Sequence, residues 1–289
     1  MNSLLVFGRT GQVARELQHL AEAQTLDLLA LGREAADLAQ PGTCAAAIYA
    51  HRPRVVINAA AYTAVDRAEE EEGLATAING SAPAEMAEAC AALDIPMVHI
   101  STDYVFPGNG QAPWTPSDAT APANAYGRSK LVGEEGIRAS GVNHGILRTS
   151  WVFSAHGANF VKTMLRLSDT RDQISVVDDQ IGGPTPARAI AAACLSIAQQ
   201  LQVAPSKSGT YHFSGEPDVS WCTFAGTIFE MSGRSTRVNG IPSSAYPTPA
   251  ARPLNSRLDC SATSSEFGLP RPDWQAGLKD CLIDLGILR

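Results

Sequence analysis

The sequence predicts an α/β protein built on a doubly wound parallel sheet, followed by a smaller C-terminal α/β domain. Short apolar runs alternate with helical stretches through the first half of the chain, which is typical of βαβ units. The runs are apolar throughout, as expected for a sheet that is covered on both faces. After Trp151, Pro and Gly become frequent and this rhythm loosens. We therefore expect a sheet domain at 1–150, with the chain returning to it near 173–205, and a second domain formed mainly by 151–289.

The individual elements follow from these runs and from the residues that bound them. The first strand covers Leu4 to Phe7 and is closed by Gly8, and a helix begins at Gln12. Further strands are predicted at 28–31, 55–59, 97–101, 145–148 and 210–213. Further helices are predicted at 43–51, 82–93, 187–201, 221–231 and 273–285, with one more beginning near Tyr126. The four glutamates at 69–72 are most simply a solvated helix face.

Bulk composition limits the classes of protein to consider. The chain has 289 residues, of which 45% are apolar and 18% charged, so a substantial core is available. A net charge of −7 argues against binding of a nucleic-acid backbone. No run approaches the roughly 18 apolar residues of a membrane span, and the N-terminus does not resemble a signal peptide. The six cysteines form no C-x-x-C pair, which predicts reduced thiols in a cytoplasmic protein.

A glycine-rich turn, Gly8-Arg9-Thr10-Gly11-Gln12-Val13-Ala14, joins the first strand to the first helix. Gly8 supplies the tight bend, and Gly11 lets the backbone approach a pyrophosphate that the helix N–H groups would then face. Ala14 is small enough for close packing of the helix on the strand. The turn therefore predicts a Rossmann-like dinucleotide site at the carboxyl ends of the strands.

Cofactor choice is predicted from the residues that follow the second strand. That strand ends Leu31-Gly32-Arg33 and has no acid at its tip to hydrogen-bond a ribose 2′-OH. Arg33 could instead pair with a 2′-phosphate, although an ordinary surface Arg is the alternative. Asp37 could lie near the adenine. The pattern favours NADPH, with NADH usable.

Thr102, Tyr126 and Lys130 predict the chemistry. Tyr126 and Lys130 are four residues apart, which places them on one face of a helix. An ammonium beside a phenol should lower the pKa of Tyr126 below the usual value of about 10 and make it a proton donor near neutral pH. Thr102 ends the fourth apolar run. With the dinucleotide turn, these residues predict hydride transfer between a nicotinamide and a carbonyl or alcohol.

The same residues belong to motifs that extend along most of the chain. They continue with NAAAYTAVD at 58–66, STDYVF at 101–106, LRTSWV at 147–152, GPT at 183–185 and RPLNS at 252–256. On these motifs the chain resembles the extended short-chain dehydrogenase/reductases, within which it is most similar to enzymes that reduce 4-keto nucleotide-sugars.

The resemblance implies reduction of the 4-keto group of dTDP-4-dehydro-β-L-rhamnose to dTDP-β-L-rhamnose by NADPH or NADH. It implies that Tyr126 protonates the C4 oxygen, that Lys130 holds the nicotinamide ribose, and that Thr102 hydrogen-bonds the reacting oxygen. The expected cofactor contacts, including those inferred above, are Gly8, Gly11, Gln12, Val13, Arg33, Asp37, Leu38, Ala61, Tyr62, Thr63, Tyr126 and Lys130. The expected substrate contacts are Thr102, Asp103, Trp151, Arg252 and Asn255.

The resemblance also raises the question of a homodimer linked by Mg²⁺. Glu16 and Asp284 could each supply a carboxylate, but Arg188 stands where a further carboxylate is expected. A cation there should oppose metal binding. We therefore expect no metal site and doubt a role for Mg²⁺, while a homodimer stays possible.

Four alternatives remain at this point. A 4,6-dehydratase would use a second carboxylate after Asp103, where this chain has Tyr104. An epimerase or a reductase of another 4-keto nucleotide-sugar shares more of the pattern. A non-catalytic NADP(H)-binding regulatory subunit would have no chemical need for Thr102, Tyr126 and Lys130 together.

Overall fold

A six-stranded parallel sheet forms the centre of the molecule. The computed structural model describes residues 4–289, and the strands of this sheet are β1 (Leu4–Phe7), β2 (Leu28–Leu31), β3 (Val55–Asn58), β4 (Met97–Thr102), β5 (His144–Thr149) and β10 (Gly209–His212). Their order in space is β10-β5-β4-β3-β1-β2, and every neighbouring pair is parallel. The loops at the carboxyl ends of these strands therefore share one edge of the sheet.

Helices cover both faces of this sheet. One face packs against α1 (Gln12–Ala23) and α8 (Ala187–Val203), and the other against α2 (Thr43–His51), α5 (Ala82–Ala92) and α6 (Ala125–Ala139). Alternate side chains of β1 enter opposite cores, with Val6 on the α8 side and Leu5 on the α5 side. The doubly wound α/β sheet predicted from the sequence is confirmed.

The second half of the chain contributes to two layers. Helix α8 packs on α1, and β10 extends the large sheet beside β5. A separate core joins α7 (Phe160–Ser168), α9 (Trp221–Met231) and α11 (Trp274–Asp284) to the parallel pair β7 (Gln173–Val177) and β12 (Arg237–Ile241).

The remaining elements are short. The strands are β6 (Val152–Phe153), β8 (Ile181–Gly182), β9 (Thr185–Pro186), β11 (Val219–Ser220) and β13 (Asn255–Ser256). The helices are α3 (Val65–Ala68), α4 (Glu72–Thr76) and α10 (Ser261–Phe267), with a π-helical turn at Ala77–Ser81 that runs directly into α5. Among residues 4–289, no helix is both long and apolar enough to cross a membrane.

The glutamate run at 69–72 is exposed or half-buried, but it does not form the helix face that the sequence suggested. It spans the break between α3 and α4, and its carboxylates bind other parts of the chain. Glu69 accepts the backbone N–H of Ala125 at 2.8 Å, and Glu72 pairs with Arg128 at 2.7 Å. The run therefore fastens the start of α6. The prediction was incomplete because these partners come from distant parts of the chain, which local charge density does not reveal.

Candidate active site

The glycine turn lies between β1 and α1 at the carboxyl edge of the sheet. Gly8 has a φ of +108°, and a Cβ there would approach the backbone of Ala59 to 3.1 Å, so only glycine fits. Gly11 is the N-cap of α1 and makes no side-chain cap bond. The first N–H groups of α1 thus remain available to an anionic group such as a pyrophosphate.

Gln12, the first residue of α1, joins the turn to the second half of the chain. Its Oε1 accepts hydrogen bonds from Ser154 Oγ and Asn159 Nδ2, both at 2.9 Å. Asn159 is also the N-cap of α7. The side chain of Gln12 therefore links two helix starts, whereas Val13 beside it is buried in the core.

The end of β2 carries an acid that the sequence analysis did not weigh. Arg33 is exposed. Glu34 beside it folds its carboxylate over Gly32 and pairs with Arg9 at 2.9 Å. Asp37 accepts the N–H of Ala39, and Leu38 between them is half-buried.

The segment after β3 is held by Asn79, which the sequence analysis missed. Asn79 lies in the π-helical turn and is almost completely buried. Its amide exchanges two hydrogen bonds with the backbone of Tyr62 and donates a third to Ser129 Oγ on α6. Ala61, Tyr62 and Thr63 are thereby fixed at the carboxyl edge of the sheet, beside the start of α6.

Thr102 and Tyr126 are brought together. Thr102 ends β4, and Tyr126 lies in the first turn of α6. Asn124 is the N-cap of this helix, and its Oδ1 accepts the N–H of Gly127 at 2.8 Å. The Thr102 hydroxyl lies near the Tyr126 phenol and donates a hydrogen bond to Asp103 Oδ1 at 3.1 Å. The Tyr126 ring also meets the edge of Tyr104, with ring centroids 5.5 Å apart.

The expected effect of Lys130 on Tyr126 is wrong for this structure. Burial raises the pKa of Tyr126 to about 12, and the nearby Thr102 hydroxyl offsets only part of that rise. Lys130 Nζ instead lies 2.8 Å from the carbonyl of Ile100 and 3.0 Å from His99 Nε2. Burial lowers the pKa of Lys130 to about 8. The shared helix face was correct, but the Lys130 ammonium is turned toward β4.

Two predicted substrate residues carry buried polar atoms without a partner among residues 4–289. One is Asp103 Oδ2 and the other is Arg252 Nη1. Asp103 follows β4 directly, and burial raises its pKa to about 6. Arg252 pairs through Nη2 with Asp66 at 2.8 Å. Because buried polar groups are normally hydrogen-bonded, these two atoms are available to a polar ligand.

Trp151 and Asn255 differ in solvent exposure and in the partners of their side chains. Trp151 has a φ of +50° and stacks on Trp221, with ring centroids 3.6 Å apart. Its indole is half-buried and keeps some exposed surface. Asn255 is buried, and its amide nitrogen donates to the carbonyls of Asn109 and Ala112. Its Oδ1 accepts from Arg257, so both ends of the Asn255 amide have partners within the protein.

The residues considered for Mg²⁺ do not fit that ion. Glu16, Asp284 and Arg188 line one pocket together with His19 and His156. Donor atoms of Glu16, His19 and His156 lie within 4.8 Å of one another, and Glu16 is 3.3 Å from His156 Nε2. Mg²⁺ prefers oxygen ligands, which Glu16 and Asp284 could offer, but two imidazoles and the Arg188 guanidinium share the pocket and disfavour that ion.

A family model and curated relatives match nearly the whole chain. The family model for the RmlD substrate binding domain matches residues 1–287. The chain is 44% identical over 278 residues to the dTDP-4-dehydrorhamnose reductase of Sinorhizobium fredii, covering 94% of each chain. It is 40% identical over 293 residues to that of Escherichia coli K12, covering 98% of each.

Solved structures agree with the sequence relatives. A dTDP-4-dehydrorhamnose reductase from Clostridium acetobutylicum superimposes with a TM-score of 0.91 at 33% identity, covering 98% of this chain and 99% of that one. The enzyme of Bacillus anthracis, solved in complex with NADP, gives a TM-score of 0.90 at 33% identity, covering 98% of this chain and 100% of that one. A UDP-glucose 4-epimerase from Brucella ovis shares the fold at 17% identity, with a TM-score of 0.82 and coverage of 99% of each chain.

Proposed function

The chain belongs to the family defined by the RmlD substrate binding domain, and on that premise we propose that it reduces dTDP-4-dehydro-β-L-rhamnose to dTDP-β-L-rhamnose with NADPH. The proposal rests chiefly on the neighbouring side chains of Thr102 and Tyr126, which lie next to the unpartnered carboxylate oxygen of Asp103. This pair can receive the oxygen of a carbonyl, and Asp103 can accept a sugar hydroxyl.

The carboxyl edge of the sheet fits a nicotinamide dinucleotide. The backbone at Gly8 leaves no space for a side chain, and the N-terminus of α1 offers N–H groups to the diphosphate. The backbone of Gly11, Gln12 and Val13 continues that surface, and the 61–63 segment borders it from β3. When bound, NADPH supplies the hydride that reduces C4.

Tyr126 is the proton donor in this proposal. With its pKa raised to about 12 by burial, the phenol is fully protonated at neutral pH and can donate a hydrogen bond to the C4 oxygen. As C4 gains a hydride, that oxygen becomes an alkoxide, which is a stronger base than a phenolate. Tyr126 then transfers its proton, and Thr102 stabilises the oxygen by a second hydrogen bond. Lys130 binds the nicotinamide ribose from the next turn of α6.

The end of β2 favours NADPH over NADH. The exposed Arg33 can pair with a 2′-phosphate. Glu34 would repel that phosphate, but Arg9 binds its carboxylate. Both nearby guanidinium groups thus favour the phosphorylated cofactor, while Asp37 and Leu38 would border the adenine. NADH, which lacks the phosphate, remains usable.

Arg252, Asp103 and Trp151 form the substrate side. Arg252 has a free Nη1 and presents a planar fork that suits a diphosphate.

We assign cofactor binding mainly to 1–150 together with the part of the chain that returns to the large sheet, and nucleotide-sugar binding mainly to 151–289. All six cysteines are free thiols, and five of them are buried, which supports a cytoplasmic location. A homodimer is compatible with this assignment and needs no metal.

NADPH oxidation with enzymatically prepared dTDP-4-dehydrorhamnose tests the proposal. NADH is compared in parallel, and the product is identified by NMR. Rapid oxidation that yields dTDP-L-rhamnose is the expected result. Binding of NADPH without oxidation would contradict the proposed substrate and favour another 4-keto nucleotide-sugar or a regulatory subunit.

A further inference from the structure

A chain of three buried side chains connects β3, β4 and α6 beneath the proposed active site. Asn58 Nδ2 lies 3.1 Å from His99 Nδ1, and His99 Nε2 lies 3.0 Å from Lys130 Nζ. Each of the three residues is only 1% exposed. Water therefore cannot replace a hydrogen bond that this chain fails to make.

Asn58 determines which nitrogen of His99 carries the proton. Its Oδ1 accepts the backbone N–H of Ala60 at 3.1 Å. A rotated amide would instead direct the Nδ2 hydrogens at this N–H, and two donors cannot form a hydrogen bond. Nδ2 of Asn58 must then donate to His99 Nδ1. A neutral imidazole that accepts at Nδ1 carries its hydrogen on Nε2. Burial and the proximity of Lys130 hold the pKa of His99 well below its ordinary value, so the ring is neutral.

This tautomer makes the charge on Lys130 unfavourable. The Nε2–H of His99 is directed at Lys130 Nζ, which can accept it only as a neutral amine with a free lone pair. A charged ammonium has no acceptor, and His99 would then lose one of its two hydrogen bonds. A neutral Lys130 can satisfy every contact, because it also donates to the carbonyl of Ile100.

The charged groups around Lys130 do not overcome this preference. Glu134, one turn further along α6, favours the ammonium, but its carboxylate is bound by Arg148 from β5 and by Ser101 from β4. From the end of β4, the buried Asp103 carboxyl is engaged by Thr102. From β3, the neighbour Asn58 is neutral.

We propose that His99 is a positioning residue that favours the neutral amine of Lys130 in the cofactor-free protein, and that at alkaline pH Lys130 takes up one proton from solvent when NADPH binds. The proposal rests on the function proposed above, since it requires a bound dinucleotide. Ribose hydroxyls accept hydrogen bonds from an ammonium, and the cofactor phosphates favour its charge. Binding of NADPH should therefore weaken as the pH rises.

Calorimetric titration of NADPH measures this proton directly. Near pH 9, where Lys130 with its pKa of about 8 is mostly neutral, the binding heat is compared in buffers of low and high ionisation enthalpy. The cofactor's 2′-phosphate is fully ionised at that pH and contributes no proton. We expect uptake of about one proton per NADPH bound by the unaltered protein.

Two variants separate the role of His99 from general damage to the site. In His99→Gln the amide oxygen can accept from the ammonium, so Lys130 is charged before NADPH binds and proton uptake should fall by at least half. Asn58→Asp accepts a hydrogen from His99 Nδ1, reverses the tautomer and should have the same effect. His144→Gln, at the start of β5 and without a hydrogen bond to Lys130, is the control and should keep full uptake.

The outcomes distinguish this proposal from the proposed function. Binding of NADPH by the unaltered protein without proton uptake would overturn the role of His99 while leaving the reductase assignment intact. Uptake that persists in both His99→Gln and Asn58→Asp would overturn it as well. Failure of the unaltered protein to bind NADPH would reject the proposed function and this inference together.

Discussion

Arg148 and Glu134 form a bidentate ion pair that is almost completely buried between β5 and α6. Arg148 Nε and Nη2 donate to the two carboxylate oxygens of Glu134 at 2.9 and 2.6 Å. The same carboxylate accepts from Ser101 on β4, one residue before Thr102. The pair therefore ties the helix that carries Tyr126 to the strand that carries Thr102.

Glu134→Gln should destabilise the protein strongly. The substitution leaves the Arg148 guanidinium buried without a counter-charge, which costs about 3–5 kcal/mol. The free energy of unfolding in urea measures the loss. Glu72→Gln is the matched control, because its pair with Arg128 is about half exposed and should contribute less than about 1 kcal/mol. Equal effects of the two substitutions would contradict the importance of the buried pair.

The same pair predicts how stability depends on pH. Burial raises the pKa of Glu134, but hydrogen bonds and the charge of Arg148 outweigh it and hold the pKa below its ordinary value of 4.5. Because the folded-state pKa is lowered, the stabilisation is complete above pH 4.5 and is lost as the pH falls through the folded-state value. The unaltered protein should thus lose stability below pH 4.5 more steeply than Glu134→Gln, as measured by thermal unfolding.

Tyr126→Phe should separate binding from chemistry. Loss of the proton donor is expected to lower turnover by about 10² or more while NADPH binding is retained. Stopped-flow oxidation and fluorescence titration measure the two quantities. Tyr211→Phe removes another hydroxyl, which donates to the carbonyl of Lys207, and should leave turnover unchanged. Full activity of Tyr126→Phe would rule out the assigned proton donor.

Asp103→Asn should make the protein more stable and less active. Burial raises the folded-state pKa of Asp103 from 3.8 to about 6, so the wild-type protein loses stability as the pH rises between those values. At pH 7 the neutral amide should therefore add about 1–3 kcal/mol, while the KM for the nucleotide-sugar increases. Melting temperatures at pH 7 and below pH 4 test whether the raised pKa of Asp103 is the cause, since the added stability of Asp103→Asn should disappear in acid. A gain of equal size at both pH values would indicate another cause.

Arg33→Ser should shift cofactor preference. Loss of a guanidinium that pairs with the 2′-phosphate is expected to raise the KM for NADPH by roughly tenfold and to leave the KM for NADH unchanged. Arg54→Ser, at the amino end of β3 and away from the proposed cofactor site, provides the control. If both cofactors were affected equally, Arg33 would be acting through the fold rather than through the phosphate.

The sheet and its order of elements were predictable because they depend on local patterns. Four-residue apolar runs such as Leu4 to Phe7 and the Ala-rich stretch of α8 are recognisable without knowledge of their partners. The glycine turn was equally clear, since its backbone requirements are local.

The inner contacts of the site depend on tertiary neighbours and were not predictable. The turn of Lys130 toward His99 could not be predicted, because it depends on the face of β4 on which His99 lies. Asn79 and Asn255 have the same side chain, yet one fixes a loop after β3 and the other a loop near residue 110. Only the packed structure shows which partners such amides have found.

The stack of Trp151 on Trp221 gives the protein an optical signal of its own. Two indoles with ring centroids 3.6 Å apart and planes 11° from parallel couple their electronic transitions. The other two tryptophans lie elsewhere, with Trp114 stacked on Phe106 and Trp274 in the core of α9 and α11. A nucleotide-sugar that displaced or covered Trp151 would therefore change the circular dichroism and fluorescence of this tryptophan pair. Binding of the nucleotide-sugar could then be followed without a label.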